Sequence, residues 1–163
     1  RVLGAQAVGK EGVEKRIDVV ATAILGKMSV DDLAELELCY APPFGSAKDP
    51  VNLAGMAAQN ICDGLVENAA PDFSLRDNEL ILDVREDAER AKGFIPHSLH
   101  LPLNELRNRL TELPRERPIL VYCLSGQRSY YACRILTQNG FTVRNLSGAY
   151  KSWNATHSLA PSP

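Results

Sequence analysis

Three short apolar runs punctuate the second half of the chain: "ELILDV" at residues 79–84, "ILVY" at 119–122 and "FTVRNL" at 141–146. Each is shorter than a typical helix and reads as a strand. Between them lie helical stretches. "REDAERAKGF" is a charged helical turn, "NELRNRLTEL" an amphipathic helix, and "SYYACRILTQNG" a helix stopped by Gly140. The segment "IPHSLHLPL" is extended and broken by two prolines. Strands that alternate with helices predict a mainly parallel sheet covered on both faces. In open sheets of that kind a ligand sits beyond the carboxyl ends of the strands. Cys123 directly follows "ILVY" and so stands at such an end.

The first half has a different rhythm. "VLGAQAVG" reads as a small-residue strand, followed by a helix in which Val13, Ile17, Val20 and Ile24 repeat at helical spacing. Ser29 and Asp32 have the spacing of a capping box and open a short helix through Leu33 and Leu36. "ELELCY" then reads as extended up to Pro42-Pro43. Asp49 before Pro50 starts another helix, with Val51, Ala54, Ala58, Ile61 and Leu65 along one face. Between Glu67 and Asn78 the pattern lapses into "ENAAPDFSLRDN", polar and without period. The expected division is a first domain over 1–70, a linker over 71–78 and a second domain over 79–163.

The bulk numbers narrow the function classes. Of the 163 residues, 45% are apolar and 23% charged, as in a globular protein rather than a disordered one. A formal net charge of −2 gives no global reason to expect a nucleic-acid or anionic-membrane partner. No run approaches a membrane span and the N-terminus lacks the layout of a signal peptide, so a cytoplasmic location is expected. Cys39, Cys62, Cys123 and Cys133 form no C-x-x-C pair, which disfavours a zinc site or a disulfide framework. Free thiols and no metal are expected. The chain opens on Arg1 without a methionine and reads as a piece of a longer protein. The interval from Gly4 to Gly9 is not the G-x-G-x-x-G fingerprint, so it predicts no dinucleotide site.

The chemistry concentrates in "CLSGQRS", residues 123–129. If Cys123, Leu124, Ser125, Gly126, Gln127, Arg128 and Ser129 curl into the start of the next helix, their backbone N–H groups form an anion-binding nest. Arg128 either supports that loop or adds a full positive charge. Gly126 supplies the unusual backbone angles. A thiolate at the bottom is favoured over a thiol, so the pKa of Cys123 should fall. Four residues separate Cys123 from Arg128, whereas tyrosine and dual-specificity phosphatases place five there to hold a tetrahedral phosphate. The tighter loop suits a single extra sulfur atom. Asp83 and Arg85, just after a buried strand, are expected to fix neighbouring loops by hydrogen bonding. Cys133 is expected to be buried and inert, and Cys39 and Cys62 likewise. His97 and His100 are read as loop polar groups rather than bases.

Residues 79–154 resemble a rhodanese domain through "LILDVRE", "GFIPHSLHLPL", "VYCLSGQRS" and "LSGAYKSW", with Gly148 and Trp153. That resemblance implies Cys123 as the carrier of a sulfane sulfur, held as a persulfide. The sequence departs from the family at Phe94, where histidine is frequent, at His97-Ser98, and at Leu124, where a basic residue is common. A less cationic mouth favours a thiol-borne persulfide over thiosulfate as donor. "GAQAVGKEGVEKRIDVVATAI" and "CYAPPFGSAKDPVN" resemble the C-terminal dimerisation domain of FAD-dependent pyridine nucleotide-disulfide oxidoreductases, of the coenzyme A-disulfide and persulfide reductase branch. The resemblance implies an α+β first domain, an antiparallel sheet with helices, followed by an α/β rhodanese-like domain. It further implies a homodimer, FAD and NAD(P)H held by domains outside these residues, and a coenzyme A-type or other low-molecular-weight persulfide or disulfide as substrate. Tyr40 would contact the thiol substrate and Lys48 a coenzyme A phosphate. The alternative is a rhodanese-like module that docks onto a flavoprotein without catalysis.

Overall fold

The computed structural model describes residues 1–158. The chain divides into two units, one ending at Gly64 and the other starting at Leu65.

The first unit is built from helices α1 (Val13–Leu25), α2 (Val30–Glu35) and α3 (Pro50–Cys62). Both expected N-termini form. Ser29 accepts the N–H of Asp32 while the Asp32 carboxylate takes that of Ser29. Asp49 caps α3 by accepting from Val51, with Pro50 in the first turn where its missing N–H is harmless. The same carboxylate receives Arg16 of α1 at 3.1 and 2.9 Å, which ties α1 to the start of α3. Asn52, nearly fully buried, donates to the carbonyls of Leu33, Ala34 and Leu36 and so satisfies the open end of α2. Val2, Val20, Ala23, Leu33 and Val51 make a small core.

The antiparallel sheet expected for this half is absent among the described residues. "VLGAQAVG" and "ELELCY" take no regular structure. A strand exists only where a neighbour receives its backbone groups, and here Val2 makes a single such bond, to Met28. Hydropathy alone carries no information about that neighbour.

The second unit is a five-stranded parallel sheet in the order β1-β5-β4-β2-β3: β1 (Asn68–Ala69), β2 (Leu80–Asp83), β3 (Leu99–His100), β4 (Ile119–Tyr122) and β5 (Val143–Leu146). β4 sits at the centre with all four residues buried. Between the strands lie α4 (Asp87–Arg90), α5 (Leu103–Leu106), a 3-10 turn (Leu110–Glu112), α6 (Gln127–Gln138) and finally α7 (Ala149–Ser158). Leu82, Leu106, Leu120, Leu136 and Leu146 lie in a core fully shielded from solvent. This is the mainly parallel α/β arrangement that the alternation of elements predicts.

Two expectations need correction. The helix expected over "NELRNRLTEL" breaks after Leu106, where Arg109 leaves helical angles at φ −122° and its guanidinium bridges Glu105 and Glu112 across the gap. The boundary also moves: residues 65–78 belong to the second unit rather than to the first domain and a linker. Asn68 and Ala69 pair with Asn145 and Leu146 as an edge strand, Phe73 packs on the core, and the Ser74 carbonyl receives Arg144. A two-residue strand is too short to carry a hydropathy period. Residues 159–163 of the expected second domain lie outside the described residues.

Candidate active site

Cys123 emerges from the centre of the sheet and is 1% exposed. The loop turns through Gly126, whose φ of 113° is open to glycine and strained for other residues, and α6 begins at Gln127. The geometry places donors around the sulfur. The Gly126 N–H points to Cys123 Sγ at 3.1 Å and the Ser129 hydroxyl lies at 3.4 Å, itself within 3.1 Å of the Gly126 carbonyl. Burial acts to raise the pKa of Cys123. The Ser129 hydroxyl and the N–H groups of Ser129, Gly126 and Ser125 outweigh it, and the thiol is held below its ordinary value. The start of α7 fixes the outer side, since Tyr150 N–H donates to the Cys123 carbonyl at 3.0 Å and Lys151 N–H to that of Leu124 at 3.1 Å.

Beneath the loop lies a buried polar cluster centred on Asp83. Its carboxylate accepts Arg85 Nε and NH2 at 2.9 and 2.8 Å, the Arg85 N–H at 3.1 Å, the Tyr122 hydroxyl at 2.7 Å and Arg90 NH1 at 3.1 Å. Arg85, almost fully buried, also donates to the Gly93 carbonyl and stacks over Tyr150 at 4.2 Å. Tyr122 receives the Ile95 N–H, and burial pushes its phenol up to about 12, so it stays protonated and donates to Asp83. Asp83 and Arg85 join the ends of β2 and β4 to the segment 90–98 and to α7.

Arg128 takes the supporting alternative. Its NH1 and NH2 each donate at 2.6 Å to the two oxygens of Glu89 in α4. Glu89, Tyr122, Arg90 and Ser98 were not among the expected site residues. A signal for Glu89 exists, because its spacing from Glu86 is that of a capping box, and its carboxylate does accept the Glu86 N–H. The partner Arg128, 39 positions away, leaves no such trace. Leu124, Ser125 and Gln127 form the loop wall, and Gln127 reaches Tyr131.

Cys133 is buried on α6, and burial followed by the nearby Cys123 charge pushes its thiol up to about 12. Cys39 and Cys62, expected to be buried, are exposed. Cys39 lies on an irregular segment and Cys62 ends α3, where a helical face no longer dictates burial. His97 is exposed, while His100 Nε2 donates to the Arg85 carbonyl at 2.8 Å, as a loop polar group does. Tyr40 lines a cavity of about 350 Å³ in the first unit with Lys15, Cys39, Phe44, Ser46 and Asp49. Lys48 is exposed between the lining residues Ala47 and Asp49. Gly4–Gly9 takes no regular structure and precedes α1.

The pattern of the rhodanese-like domain matches residues 71–156. A sulfurtransferase of Allochromatium vinosum is 44% identical over 81 residues, 49% of this chain and 75% of that protein. A coenzyme A disulfide reductase of Staphylococcus aureus is 49% identical over 59 residues, 36% of this chain and 14% of the reductase. Among solved structures, the reduced CoADR-RHD of Bacillus anthracis superimposes with a TM-score of 0.87 at 44% identity, covering 91% of this chain and 27% of that one. The NAD-dependent persulfide reductase of A. fulgidus gives 0.79 at 45% identity, covering 89% and 26%. This chain therefore spans about a quarter of those two structures. The parallel sheet, the cysteine at the end of its central strand, and a family match over more than half the chain lead to one conclusion: the chain belongs to the rhodanese-like domain family.

Proposed function

We propose that Cys123 carries sulfane sulfur as a persulfide, within a flavin-dependent coenzyme A-disulfide or persulfide reductase that reduces this sulfur to sulfide. The observation that carries the proposal is the buried sulfur at the mouth of a parallel sheet, surrounded by donors that stabilise its anion. The same N–H groups suit the terminal sulfur of a persulfide, which is also an anion in a confined space. A sulfurtransferase, coenzyme A disulfide reductases and a persulfide reductase among the relatives support the sulfur chemistry and the substrate class.

In this reading the first unit is the dimer-forming part, and Tyr40 with Lys48 approaches a coenzyme A-type substrate in the homodimer. The cavity beside Tyr40 and its basic neighbour Lys15 support that assignment. FAD and NAD(P)H belong to domains outside these residues and supply the electrons. The work of this chain is to hold the sulfur anion and shield it from water.

The test is intact mass before and after incubation with coenzyme A persulfide or thiosulfate, for the native protein and Cys123→Ser. One added sulfur, about 32 mass units, is expected in the native protein and absent from that position in the variant. Peptide mapping separates Cys123 from the exposed Cys39 and Cys62. No adduct on Cys123 from either donor would sink the carrier reading and favour the docking module.

A further inference from the structure

The guanidinium groups of Arg85, Arg90 and Arg128 are already committed to the protein. Arg85 is held by Asp83 and the Gly93 carbonyl, and Arg90 by Asp83 and Ser98. Arg128, which closes the loop, places both terminal nitrogens on Glu89 in a two-pronged ion pair whose members are about a quarter to a third exposed. Lys151 donates its backbone N–H to the Leu124 carbonyl and its side chain is exposed. Leu124, Ser125 and Gln127 are uncharged. Hydrogen bonds from Arg128 outweigh the opposing effect of burial and hold the Glu89 carboxyl below its usual range, so it is ionised at neutral pH and offsets the arginine.

We propose that Glu89 determines donor specificity: by pairing with Arg128 it withholds the loop's cation from incoming donors and selects thiol-borne persulfides over dianionic thiosulfate. The proposal rests on the reading of Cys123 as a sulfur carrier. With a persulfide, the Cys123 thiolate attacks the terminal sulfur of RS–S⁻, the S–S bond breaks, and RS⁻ leaves with the bonding pair. With thiosulfate the same attack expels sulfite. The transferred sulfur arrives in both cases as Cys–S–S⁻, and no external oxidant or reductant is consumed. The two donors differ in charge. Thiosulfate brings two negative charges toward a thiolate and needs a free cation to offset them, whereas a persulfide brings one and leaves its thiol carrier outside the loop.

Glu89→Gln keeps the size and an acceptor for the Glu86 N–H but removes the charge. It is expected to lower KM for thiosulfate roughly ten-fold or more, with kcat little changed and a steeper dependence on ionic strength. Activity with coenzyme A persulfide should show no matching gain, so the ratio of thiosulfate to persulfide efficiency rises roughly ten-fold or more. Glu89→Asp retains the charge on a shorter arm and should leave thiosulfate as poor a donor as before. Equal gains in both variants would show that loosening of the loop, not charge, is responsible, and would overturn the proposal. So would a parallel loss with both donors, or no change with either. Failure of the native protein to load Cys123 from any persulfide would instead overturn the carrier reading, and the specificity argument with it.

Discussion

At Cys123 the balance of two opposed effects decides the chemistry. Burial alone would keep the thiol protonated, as it does for Cys133. Ser129 and the loop amides reverse the sign for Cys123 and leave two cysteines of one unit with opposite properties. Alkylation of Cys123 by iodoacetamide should therefore reach half its maximal rate at a lower pH than a free thiol, near 8.5. Ser129→Ala removes a donor to the sulfur and should move that midpoint upward, while Cys133 stays unmodified in the native protein throughout. A midpoint unaffected by the substitution would show that the backbone amides suffice.

Among the elements, the join between β2, β4 and the segment 90–98 depends on one buried carboxylate. Burial favours protonation of Asp83, but the hydrogen bonds from Arg85 and Tyr122 outweigh it and hold the carboxyl below its usual range. A depressed folded pKa has a definite sign. Its stabilisation is present above the unfolded carboxylate value, near 3.9, and is lost as pH falls through the folded value. Asp83→Asn leaves Arg85 buried without a full countercharge and should cost about 3 kcal/mol or more at pH 7, read from urea unfolding of the second unit. The difference between native and variant protein should narrow in acid. A gap that stays constant down to pH 2 would assign the loss to geometry rather than charge.

For the whole molecule, the two units have cores of unequal size, and each has its own packing limit. In the first, a Cβ at Gly55 would stand 2.5 Å from the Ala34 nitrogen, so α2 and α3 meet backbone to backbone. Gly55→Ala is expected to destabilise that unit by about 1–3 kcal/mol by calorimetry, with sulfur loading of Cys123 unchanged. Loss of loading would reveal coupling between the units. The sequence by itself determined what is local or periodic: the alternation that demands a parallel sheet, the caps at Ser29 and Asp49, the stop at Gly140, and the cysteine, glycine and arginine of a strand-loop-helix junction. Each depends on residues close together in the chain. Tertiary structure alone decided that Asn68–Ala69 joins the second unit as an edge strand, that "ELELCY" forms no strand, and that Arg128 spends its charge on Glu89. The physical reason is common to all three. A strand needs a neighbour to receive its backbone groups, and an ion pair needs two charges brought together, so these outcomes depend on residues far apart in sequence whose meeting no local pattern records.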